Sequence, residues 1–252
     1  MNISTISLLI KRQFKENYSV YGIGLFVLIA LLLFMFLLVH QWQDSFAGAV
    51  QNGVFIIGLF IAGGVFSSAM FQEFSSPQSG MWLLSIPATH SEKVITSILI
   101  SAVLFLLAYF PIFYLADVLY LFVTDKLGVE AILNPFKDNF YQFLFLYLVF
   151  NGIILLGSVI FNKNSFIKTL LAGILVLVVF NYINTQLLEL LLPETKIVSS
   201  IAFDSFLFSH HGENIKVMLP NHVNTISSVF IRVLLPISIW FAVGFKLKEK
   251  EI

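Results

Sequence analysis

Apolar residues fall into six long blocks along this chain, separated by short polar or mixed stretches. The blocks cover residues 20–39, 52–71, 94–121, 140–161, 169–192 and 227–246. At about 1.5 Å of rise per residue, a helix of about 20 residues crosses the roughly 30 Å hydrocarbon core of a bilayer. Helices also keep every backbone hydrogen bond internal, as lipid demands. The pattern predicts an all-α, polytopic membrane protein with six transmembrane helices in a single domain over residues 1–252.

The stretches between the blocks refine this picture. Ahead of the first block, Ile3, Ile6, Leu9, Ile10 and Phe14 recur at helical spacing among Lys11, Arg12 and Lys15. This predicts an N-terminal amphipathic helix on the membrane surface, joining the first span over residues 18–22. A helical extension of the first span is the alternative. No small-residue cleavage site follows, so the first block is expected to stay as an anchor. Residues 193–226 mix Ile201, Phe203, Phe206 and Phe208 with Asp204, His210 and His211, which allows either a small cap or an interfacial helix.

Composition agrees with the blocks. Of 252 residues, 58% are hydrophobic and 11% charged, and the mean hydropathy is +0.93. Net charge is zero, and the 28 Phe are spread through the spans rather than paired with basic stripes, so nucleic acid is not an expected partner. Cysteine is absent, which excludes disulfides, thiolate metal sites and a cysteine nucleophile. Lys and Arg set the orientation. Placing both termini in the cytoplasm puts nine of them inside and four outside, with Arg232 left in the sixth span.

Motifs that would carry chemistry are missing. The sequence has no GxxxxGK[ST] phosphate loop, no HExxH and no GxSxG. His210 and His211 are adjacent, so on a helix they diverge by about 100° and lack a partner at metal-ligand spacing. Three charges lie inside spans near one side of the membrane: Asp117, Glu189 and Arg232. An ion pair of Arg232 with Asp117 or Glu189 is one expectation, and separate snorkelling to the interface is the other. In the second span Gly58 and Ala62, Gly63 and Ser67, and Gly64 and Ser68 are each four apart, a spacing that lets another helix approach closely. Pro111 and Pro236 are expected to kink the third and sixth spans.

Residues 74–93, FSSPQSGMWLLSIPATHSEK, hold more than a turn requires. Ser75, Ser76, Pro77 and Gln78 break the helix, and Met81, Trp82, Leu83, Leu84 and Ile86 restore an apolar surface too short to span. Pro87 breaks it again, and Thr89 or Ser91 is placed to cap the next helix. The pattern FxxxxxGxxxLxxPATxxEK, with Gly80, Leu84, Pro87, Thr89, Glu92 and Lys93, resembles the segment between the second and third spans of ABC-2 type permeases. These are the membrane subunits of ATP-binding cassette transporters of bacterial cytoplasmic membranes.

That resemblance implies a permease with no enzymatic activity or cofactor of its own, coupled to a separate cytoplasmic ATPase that uses ATP, and acting as an exporter. It implies a second permease chain, a homodimer mate or a sister, within membrane lipid. It also implies that residues 80–93 form a cytoplasmic coupling segment. Gly80, Met81, Trp82, Leu83 and Leu84 would give the docking surface, Pro87 the corner, and Thr89, Glu92 and Lys93 the junction with the third span. A non-transporting membrane scaffold and an intramembrane enzyme are the other readings of the residues themselves.

Overall fold

A computed structural model describes residues 3–42, 48–71, 88–124, 133, 141–192, 196–201, 205–210, 213–218 and 220–250. Among the described residues six helices are long and apolar enough to cross a membrane: Ile3–Val39, Gln51–Ala69, His90–Val123, Gln142–Ile160, Ser165–Leu191 and His222–Glu249. This is the architecture of a multi-pass membrane protein, and its six spans match the six apolar blocks in order.

The first helix starts well before the first apolar block and is broken at Asn17, whose backbone leaves helical geometry (φ −114°, ψ 17°). The Asn17 amide donates 3.2 Å to the Gln13 carbonyl, the group that the helix ladder would otherwise serve. The break adjoins the junction expected over residues 18–22. On the terminal side of it Ile6 is buried and Ile10 packs against the cluster around Met70 and Val94.

The second span occupies the middle of the bundle, and its small residues explain how. A Cβ on Gly58 would meet Leu32 and Tyr109 at 2.7 Å, and one on Gly63 would meet the Tyr147 ring at 2.5 Å. One on Gly64 would meet Phe166 at 2.6 Å and Phe150 at 2.9 Å. The three small-residue pairs therefore admit spans 1 and 3, span 4, and spans 4 and 5 in turn. Packing within one chain accounts for the whole stripe. A fourth close approach joins spans 4 and 5, where Gly157 has no room for a Cβ against Thr169.

Two apolar clusters fill the bundle. One gathers Leu32, Phe36, Phe55, Leu59, Tyr109, Phe113 and Tyr120 from spans 1 to 3. Its rings meet edge-on or stacked, as Phe55 on Phe113 at 4.9 Å and Phe36 on Tyr120 at 5.1 Å. The other joins Met70, Ile100, Leu155, Val159, Val243 and Leu247 from spans 2, 3, 4 and 6. The fifth span packs on spans 2 and 4 through its first turns, at Phe166 and Thr169, but from Leu171 to Ile183 nearly every side chain is exposed.

The third and sixth spans each contain a π-helical turn, Leu99–Leu104 and Phe230–Leu234. In the sixth, the Leu235 N–H reaches back to the Phe230 carbonyl, and Pro236 follows with no N–H to give. Ile100 and Tyr109 are both buried, in different clusters, and in a regular α-helix nine residues would place them about 180° apart. The π turn takes up an extra residue, worth about 100°, and leaves them about 80° apart.

All-α describes the spans and not the segment between the fifth and sixth. There β1 (Lys196–Ile201), β2 (Ser205–His210) and β3 (Glu213–Met218) form an antiparallel sheet in the order β1-β2-β3. Ser205 pairs with Met218 and His210 with Glu213, while the β1 register shifts between Ile197 and Ser199. Among the described residues of 193–226 there are therefore these three strands and, from Asn221, the start of the sixth span.

Candidate functional site

The residues singled out by sequence separate into three places. Gly80, Met81, Trp82, Leu83, Leu84 and Pro87 lie outside the described residues. Thr89, Glu92 and Lys93 begin the third span. Thr89 is its N-cap, with extended backbone (φ −69°, ψ 154°) and a hydroxyl that accepts from the Glu92 N–H at 3.4 Å. Glu92 Oε2 in turn accepts from the Thr89 N–H at 3.0 Å, which completes a capping box. Glu92 and Lys93 are both buried. Within three residues of Pro87 the chain is thus committed to a capped helix.

The intramembrane charges each have their own partner. Gln51 donates to both oxygens of the buried Asp117, at 3.1 and 3.5 Å. Arg232, in the π turn of the sixth span, donates 3.1 Å to Gln142 Oε1 at the start of the fourth. Glu189 accepts from Gln186 on its own helix at 3.4 Å. Arg232 pairs with neither Asp117 nor Glu189, so the expected ion pair is replaced by amide partners. The physical reason is connectivity: Gln142 and Gln51 open neighbouring spans at the depth of these charges, and an amide answers either sign of charge.

The polar centre of the bundle was not among the candidates. Asn151 of span 4 donates 2.7 Å to Ser67 Oγ of span 2 and 3.0 Å to Ser101 Oγ of span 3. The Ser67 hydroxyl donates 2.6 Å to the Gly63 carbonyl, and the Tyr147 hydroxyl donates 2.9 Å to the Ser101 carbonyl. Ser67, Ser101, Tyr147 and Asn151 are all buried, and Asn151 Oδ1 accepts no hydrogen bond. The signal available in sequence was Tyr147 and Asn151, four apart inside an apolar block, one helical turn that puts both on one face. This is a neutral network that joins three spans; its chemistry is to fix helices and hold dipoles, with no charge to transfer.

No family model, curated protein or solved structure matches this chain.

Proposed function

We propose that this chain is the permease subunit of an ATP-driven transporter of the ABC-2 type, in a bacterial cytoplasmic membrane with both termini inside. Residues 80–93 dock a separate ATPase, the substrate moves outward, and the chain itself performs no catalysis. The amphipathic helix before Asn17 lies along the cytoplasmic surface.

The observation that carries this reading is the motif's junction with the bundle. Its last residues, Thr89 and Glu92, close a capping box, and Glu92 and Lys93 are buried. A movement imposed at Pro87 is thereby passed to the third span with little slack. A connector without a partner needs neither the apolar run of residues 81–84 nor that rigid exit. The exposed fifth span supports a second copy or a sister permease beside this one.

The test is affinity purification from native membranes in mild detergent, comparing the parent with a Leu84→Asp, Pro87→Ala double variant. Co-purification of a chain with a phosphate loop, lost in a variant that elutes as a folded protein, supports the proposal. Absence of any such chain from the parent after crosslinking overturns it and favours the scaffold reading.

A further inference from the structure

The π turn of the third span leaves one backbone carbonyl aside. In an α-helix the Phe105 N–H would bond the Ser101 carbonyl four residues back. Here it bonds Ile100 and Ala102 instead and passes over Ser101. The Tyr147 hydroxyl of span 4 takes up that same carbonyl at 2.9 Å, and Asn151, one turn along span 4, holds the Ser101 side chain at 3.0 Å. The π geometry is thus held by two side chains from a neighbouring helix. Asn151 has a buried Oδ1 that accepts nothing in this arrangement, an unused acceptor inside the network.

We infer that the third span is a two-position element whose π turn at Leu99–Leu104, latched by Tyr147 and Asn151, unwinds into α-helix and re-phases His90–Ile98. Released from Tyr147, the Ser101 carbonyl is a buried orphan, and its nearest remedy is the Phe105 N–H, which is the α-helical bond. Making it returns the extra residue to the helix. With the half after Phe105 fixed, His90–Ile98 turns by about 100° and advances about 1.5 Å toward the connection with span 2.

Six of the nine side chains in the turning half are polar, at positions 90–93, 96 and 97, whereas Phe105–Val123 is nearly all apolar; the turn takes the buried Val94 out of its contact with the second cluster and re-seats the buried Glu92 and Lys93. Spans 3 and 4 then have two discrete arrangements rather than a continuous range, as switching elements in packed cores do. The inference concerns the helix alone and stands whether or not residues 80–93 dock an ATPase.

The absence of cysteine makes the test direct. Single nitroxide labels are placed at Ser91, Ile95, Thr96 and Ser97 in the full chain in detergent, and their accessibility to oxygen is read. In the parent, position 96 is protected while 91, 95 and 97 are accessible to differing degrees. In a Tyr147→Phe, Asn151→Leu background the pattern is expected to move by one residue: each position takes the site of the one before it, so 96 gains accessibility and 95 and 97 lose it.

Deletion of Val103, an exposed residue within the π turn, supplies the second arm. It removes the extra residue while keeping the two halves of the helix in the relative orientation they have here, so in that background the same two substitutions are expected to leave the pattern where it was. An unmoved pattern in the folded Tyr147→Phe, Asn151→Leu protein overturns the inference. So does a uniform rise at all four positions, which is local melting, or a shift that persists after Val103 is deleted.

Discussion

Gly63→Ala is the sharpest perturbation of this bundle. A Cβ there would lie 2.5 Å from Tyr147 Cε2 and 2.7 Å from its hydroxyl, where carbon contacts settle near 3.5–4.0 Å, so the ring must retreat by about 1 Å. Overpacking of this kind costs about 1–3 kcal/mol. The retreat also breaks the 2.9 Å bond to the Ser101 carbonyl, and leaving that buried acceptor unserved adds about 1–3 kcal/mol. The sum is about 2–4 kcal/mol, since relaxation is shared between the two terms. Equilibrium unfolding in mixed micelles measures it. Tyr147→Leu removes the ring that clashes, though not the lost hydrogen bond, so in that background Gly63→Ala is expected to cost much less than it does in the parent. Gly53→Ala and Gly173→Ala, where nothing stands within 4 Å of the new methyl, are expected to be neutral or slightly stabilising. A Gly63→Ala protein as stable as the parent, or a Gly63→Ala effect as large in the Tyr147→Leu background as in the parent, would refute the packing argument.

Other outcomes follow from the same geometry. Thr89→Ala removes the cap of the third span and is expected to cost about 1 kcal/mol, while Thr89→Ser keeps it; thermal unfolding of the two variants checks this. Gln51 and Asp117 are expected to be coupled in a double-mutant cycle by about 0.6–1.7 kcal/mol, the range for hydrogen bonds between membrane helices. Additive Gln51→Leu and Asp117→Leu effects would show that the contact contributes nothing. Exchanging Arg232 and Glu189 is expected to leave the stability defect of either single change in place, because Arg232 is held by Gln142; recovery in the exchanged protein would contradict this.

The six spans were legible because lipid selects for run length, which a sequence displays directly. The capping box was legible for a similar reason: Thr89 and Glu92 lie three apart, and the interaction is local. The small-residue stripe of the second span announced close packing, but which helix each glycine admits is a matter of tertiary arrangement. The buried polar centre was missed because Ser67, Ser101 and Asn151 come from three spans and look ordinary in each. The amide partners of Asp117 and Arg232 were missed likewise, since charge complementarity drew attention to the other charges and away from Gln51 and Gln142. The sheet left a faint trace, with Ile215 and Val217 alternating with Asn214 and Lys216, in a segment whose aromatic content also suits an interfacial helix.

The proposed docking of a separate ATPase on residues 80–93 is tested most directly by a photo-crosslinking amino acid at Leu84 in native membranes. Irradiation is predicted to join this chain to a protein that carries a phosphate loop, in a product whose yield responds to added nucleotide. Crosslinks confined to lipid, or to other copies of this chain, would contradict the account.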